Sequence, residues 1–192
     1  MAERYPVKKY PIVGACGLNC GLCPRYHTEG TSRCPGCCGA DFWQKHPSCG
    51  FITCCVKQKN LETCAECADW EGCERLGKSL NAAKNVDSFI SYRPLADNLA
   101  FIRKQGVDEF ARLEIEKLEF LRYLIDNYDE GRSKSFYCTS CQLILLDGLK
   151  KALANVEELV TKTADIKEKA KTVRVAISNL ANELGISLKL RK

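Results

Sequence analysis

The chain has 192 residues, of which 45% are hydrophobic and 28% charged, with a formal net charge of +5. This balance excludes a disordered chain, and the length admits one domain or two small ones. No apolar run approaches the roughly 18–20 residues needed to span a bilayer, the richest being Leu143, Ile144, Leu145 and Leu146.

Taken in order, residues 1–11 carry Glu3, Arg4, Lys8 and Lys9 with no apolar stretch behind them. They do not read as a secretory signal, so a cytoplasmic protein is expected, in a compartment that keeps thiols reduced. Fourteen cysteines follow, twelve of them between Cys16 and Cys73. Such density means either a disulfide framework or metal ligation. The reducing compartment and four C-x-x-C pairs (Cys20/Cys23, Cys34/Cys37, Cys64/Cys67 and Cys138/Cys141) favour metal, because that turn aims two sulfurs at one ion.

Residues 1–80 are rich in Cys, Gly and Pro, with short helices expected only near residues 56–61 and 74–80. They form a first, irregular module whose core is too small to hold it, so bound metal supplies the stability. Residues 81–192 form a second, helical region. Helix begins near Asp97, with Phe110, Leu113, Leu121, Leu124 and Tyr128 on one stripe and Glu109, Glu114, Glu116 and Glu119 on the other side. Two more helices are expected at residues 147–162 and 165–184, the last ending at Gly185 in a Schellman turn. Residues 186–190 alternate and could add one short strand. The predicted fold class is thus mainly α, with a metal-stabilised cysteine-rich N-terminal module and at most a short terminal strand.

The candidate ligands are Cys16, Cys20, Cys23, Cys34, Cys37, Cys49, Cys54, Cys64, Cys67, Cys73, Cys138 and Cys141. One assembly makes two Zn2+ sites, Cys20/Cys23/Cys34/Cys37 and Cys49/Cys54/Cys64/Cys67, of the closed four-sulfur kind. It leaves Cys16, Cys38, Cys55 and Cys73 over, and two or three zinc ions would be expected in all. The other starts from the C-x3-C-x2-C triplet Cys16/Cys20/Cys23, which suits three irons of a [4Fe–4S] cube. Radical chemistry on S-adenosylmethionine uses the same triplet but needs a strand–helix barrel, and none is patterned here.

Cys138 and Cys141 read either as inert packing in a buried helix, as ligands brought back to the first module, or as a redox couple. His27 and His46 read as surface loop residues, and Trp43 and Trp70 as cover over a metal site. No phosphate-binding or metalloprotease motif is present, so an enzyme is not expected. The charge divides as +2, −2 and +5 over residues 1–80, 81–132 and 133–192. Each Zn(Cys)4 site would add a net charge of about −2, so the basic balance is poor support for nucleic-acid binding. A protein partner fits better.

The string Cys16-Gly-Leu-Asn-Cys20-Gly-Leu-Cys23-Pro24, with Cys34-Pro-Gly-Cys37, Cys49-x4-Cys54, Cys64-x2-Cys67 and Cys73-Glu-Arg-Leu76, resembles the cysteine-rich family catalogued as domain of unknown function 3795. The match covers about residues 12–105, and the stretch from Tyr128 to Cys138 looks like longer members. The resemblance implies metal binding in the cytoplasm of an anaerobic bacterium or archaeon and supplies no reaction. Cys38 and Cys55 are additions to its pattern.

Overall fold

The computed structural model describes residues 6–46, 49–162 and 165–192. Glu3 and Arg4 therefore lie outside the described residues. The fold is mainly helical, and no strand is found among the described residues.

In the first eighty residues the chain is held in short turns: 3-10 turns at Cys20–Leu22, Pro24–His27, Gly30–Ser32 and Cys64–Glu66, and one turn of α-helix, α1, at Phe42–Lys45. The helix expected at residues 56–61 starts earlier, as the π-helix Ile52–Gln58, and α2 spans Glu74–Ala82. Wide π turns add a residue to each loop of the ladder, and here they bury Ile52, Cys55 and Val56 together.

Residues 8–15 run through the middle of this module and organise it. Lys8 N–H donates to Cys38 O (3.1 Å), Gly21 N–H to Ile12 O (2.9 Å), Cys37 N–H to Pro11 O (2.7 Å) and Cys64 N–H to Ala15 O (2.7 Å). The Glu62 carboxylate accepts the N–H groups of Lys9 (2.8 Å) and Tyr10 (3.1 Å). Buried N–H groups need such partners wherever no regular ladder supplies them.

The helical half begins with α3, Leu95–Gln105, and α4, Val107–Tyr128. Sequence periodicity runs through both, but Gly106, at φ +89°, breaks the ladder and turns the chain back, so that α3 and α4 pack on each other. Helix α5, Lys134–Leu143, is followed by α6, Leu146–Thr161, and α7, Ile166–Glu183, within a residue or two of the expected bounds. Asp165 caps α7 by accepting from Lys167 N–H at 2.9 Å. Its other end is the expected Schellman turn, with Ile186 N–H to Ala181 O (2.8 Å) and Gly185 N–H to Asn182 O (3.1 Å).

Two expectations are corrected. Residues 186–190 form no strand: no edge lies beside them, and Arg93 instead donates to the carbonyls of Ser187 and, at 2.8 Å, Lys189. Glu114, assigned to the outer face of α4, is 2% exposed. One buried cluster joins Ile12, Val13, Leu22, Ala65 and Leu76 of the first eighty residues to Leu99, Leu121, Leu124, Leu149 and Ile177 of the helices. The helical half thus packs directly onto the cysteine loops.

Candidate metal centre

Four side chains of the helical half donate to backbone carbonyls of the cysteine loops, the longest bond being Lys134 Nζ to His27 O (3.4 Å). Asn98 Nδ2 donates to Gly17 O (2.9 Å), between Cys16 and Cys20. Gln142 Nε2 donates to Leu22 O (2.9 Å), beside Cys23. Arg103 Nη1 donates to Ala65 O (2.9 Å) and Cys67 O (3.2 Å), within the Cys64–Glu66 turn and just after it. Each loop is thereby fixed from outside, and its sulfurs are left for other work.

The sulfurs fall into three neighbourhoods. In the first, burial pushes the Cys16 thiol up to about 12, and the nearby sulfurs of Cys37, Cys49 and Cys64 add to the effect. Cys20 is likewise raised by burial, and it senses Cys37 and Cys16 more strongly than Cys23. Cys37 is the exception, held down to about 6 because the Cys38 thiol donates to it, with Lys8 and the Ala15 N–H (3.2 Å from Sγ) also favouring its anion. Cys38 adopts φ +54°, a strained conformation for a residue with a Cβ, and this brings two adjacent side chains face to face. Gly36 makes that turn possible: at φ +85°, a Cβ there would lie 2.4 Å from Pro11 O.

The second neighbourhood is a cleft of about 330 Å3 lined by Cys54, Cys55, Cys64, Cys67, Cys73 and Trp70. Cys64 donates to Cys55, and that bond together with burial raises the Cys64 thiol well above its ordinary value. Lys59 Nζ lies at the rim, donating to Cys67 Sγ (3.0 Å) and Asp69 Oδ2 (2.5 Å). Trp70 lines the cleft, with the Arg103 guanidinium 5.7 Å from its ring centre.

The third neighbourhood joins the two halves. Cys23, raised by burial, faces Cys34, and Cys138 on α5 faces Cys141 and Cys23. Cys138 and Cys141 are both fully buried. Burial pushes Cys141 up to about 12, but the charges around it are Lys117 and Glu114 rather than the loop sulfurs. The charge of Cys23 bears on Cys138.

Neither four-sulfur assembly read from the spacing is drawn into a closed tetrahedron: among the described residues no three Cys, His, Asp or Glu side chains converge as a ready metal-binding group. His27, expected on the surface, is half-buried with Nε2 2.8 Å from Gly21 O, and burial lowers its pKa. His46 is exposed and stacks on Phe42. The sequence left Cys38 and Cys55 without a role, yet each meets a sulfur partner. It also gave no hint of Lys8, which is 4% exposed. The Lys8 ammonium donates to Val13 O (2.6 Å), lies 4.0 Å from Glu62, and favours the anions of Cys20, Cys37, Cys38 and Cys64. A buried lysine has no periodic signature, so nothing in the pattern could have picked it out.

The chain matches no protein-family model, no curated protein and no solved structure. Its likeness to the cysteine-rich family rests on the motif alone. Among the described residues no helix is long and apolar enough to cross a membrane.

Proposed function

We propose that this chain is a cytoplasmic iron–sulfur protein whose cysteine loops hold at least one polynuclear cluster. The observation that carries this reading is the cleft of about 330 Å3 ringed by Cys54, Cys55, Cys64, Cys67 and Cys73. A lone zinc takes sulfurs at about 2.3 Å, which leaves no space between the ion and its ligands. Room on this scale would accommodate a multi-atom inorganic group, and soft thiolates are its natural donors. When bound, such a cluster accepts and gives up single electrons, which supports electron transfer or redox sensing as the role.

The chain's own residues suit that task. Lys59 N–H donation to Cys67 Sγ and Ala15 N–H donation to Cys37 Sγ remove negative charge from sulfur, a recognised lever on potential. Lys8 brings a buried positive charge to a place that would collect anionic sulfur. Trp70 and Leu76 add apolar surface to the cleft lining.

Structural zinc is the second reading, with the module serving to dock a protein partner. Two C-x-x-C pairs support it, each closed by a turn bond, Cys23 N–H to Cys20 O and Cys67 N–H to Cys64 O, both 3.2 Å. Such turns are the usual knuckles of zinc sites.

Anaerobic purification followed by absorption spectroscopy and assay of iron, sulfide and zinc tests both. Broad visible absorption bleached by dithionite, with iron and sulfide in equal amounts, is the expected result. A colourless protein holding two or three zinc ions would replace the first reading with the second. A metal-free protein whose thiols are paired as disulfides would overturn both.

A further inference from the structure

Far from most of the cysteines, the turn between α4 and α5 faces the outer side of α7 across a cleft of about 660 Å3. Four cations line it, Arg132 from the turn and Lys167, Lys171 and Arg174 from α7, against the single carboxylate of Glu130, a net of 4 − 1 = +3. Lys167, Lys171 and Arg174 recur at helical spacing, so one face of α7 carries all three, while Ala170, Val173 and Ile177 bury its other face.

Arg132 is held opposite them by Asp129, whose Oδ1 accepts from the N–H groups of Gly131 (3.1 Å), Ser133 (2.9 Å) and Lys134 (3.1 Å). Arg174 is likewise placed, with its guanidinium 5.2 Å from the Phe136 ring centre and 4.0 Å from Glu130 Oε1. That last distance is an attraction without a hydrogen bond, and the Glu130 side chain stays 14% exposed at the cleft. Ser178 and Asn179 complete a polar wall, and Val175 is the one apolar lining residue.

We infer that this cleft is a binding site for a small phosphate ester that carries hydroxyl groups, of the sugar-phosphate class. The size lies within the range of small-molecule pockets. Clustered guanidinium and ammonium groups match a phosphate, the arginines by paired donors and the lysines as point charges. The Glu130 carboxylate is an acceptor that a bare anion cannot use but a hydroxyl can, while Ser178 and Asn179 can donate to a phosphate and also accept from hydroxyls. No aromatic side chain among the described residues lines the cleft, so a nucleobase would find no stacking platform, and this argues against single-stranded nucleic acid. The inference does not depend on what the cysteines hold.

Isothermal titration of the full chain with glucose 6-phosphate, inorganic phosphate and a single-stranded oligonucleotide tests it. The sugar phosphate is expected to bind about tenfold more tightly than inorganic phosphate, and Lys171→Ala combined with Arg174→Ala to weaken it at least about tenfold. Glu130→Gln is expected to reduce the preference for the ester while phosphate binding persists. Lys171 and Arg174 are exposed and Glu130 is partly buried, and circular dichroism verifies that the variants stay folded. Absence of binding by both phosphates, binding unchanged in the double variant, or equal affinity for the two phosphates would overturn the assignment. Tighter binding of the oligonucleotide would also overturn it, in favour of a nucleic-acid surface.

Discussion

Asn19 Nδ2 donates to Glu114 Oε2 at 2.7 Å, and both side chains are buried. Asn98 Nδ2 in turn donates to Asn19 Oδ1 (2.8 Å), and Lys117 Nζ to Glu114 Oε1 (2.8 Å). A continuous polar relay therefore links the Cys16–Cys20 loop to α3 and α4 through an otherwise apolar interior.

Breaking that relay should cost more than one hydrogen bond, because the remaining members stay buried and unpaired. Asn19→Leu is expected to destabilise the protein by about 2–4 kcal/mol, and Asn19→Leu with Glu114→Leu by less than the sum of the single changes. Denaturant unfolding of the two single variants and the double variant measures it. Strict additivity would show that the two side chains do not interact.

If the cysteine loops hold a metal centre as proposed, Lys8→Met should impair its loading, since it removes a buried cation that favours the anions of four cysteines. About a tenfold greater sensitivity to chelator is expected, while Lys9→Met, at an exposed neighbour, behaves as wild type. Metal retained after a chelator titration is the measurement.

The cysteines should separate by neighbourhood. Cys64→Ser is expected to abolish metal retention and unfold the module, because Cys64 faces both Cys16 and Cys55. Cys141→Ala should cost about 1 kcal/mol and leave metal content unchanged, as its charged neighbours are Lys117 and Glu114. Metal analysis beside thermal melting distinguishes the two outcomes.

Asp87 gives a pH signature. Although its buried side chain works against its charge, Arg191 and the N–H groups of Arg191 and Tyr92 hold its carboxyl well below the usual range. A depressed native value means stability that is present above the unfolded value of about 3.9 and is lost as pH falls further. Asp87→Asn should therefore remove about 2 kcal/mol at neutral pH and flatten this part of the acid limb. Unfolding curves at pH 7 and pH 3 show whether wild type and variant converge.

How much of this was readable in the sequence depended on whether the signal was local. The helices of residues 147–162 and 165–184 were legible because Leu149, Leu153, Val173 and Ile177 recur with the helical period and Asp165 and Gly185 punctuate it. The break at Gly106 was not, since the apolar stripe continues across it and only its positive φ interrupts the ladder. Glu114 was misplaced because periodicity cannot foresee a polar partner such as Asn19, ninety-five positions away. The cysteines announced themselves by number, and C-x-x-C spacing marked the turns at Cys20–Cys23 and Cys64–Cys67, whereas the Cys138/Cys141 pair lies within α5. Their neighbourhoods depend on loop crossings, so the association of Cys23 with Cys138 could not be read from spacing.

The thread formed by residues 8–15 bears on how the protein is made. Its bonding partners include Cys37, Cys38, Glu62 and Cys64, so the early segment has no settled place until a further fifty residues have left the ribosome. Thiols emerging one after another have no frame to hold an inorganic guest. On the reading that these loops hold a metal centre, its delivery would belong at the end of assembly, to loops already clasped from outside by Asn98, Arg103 and Gln142.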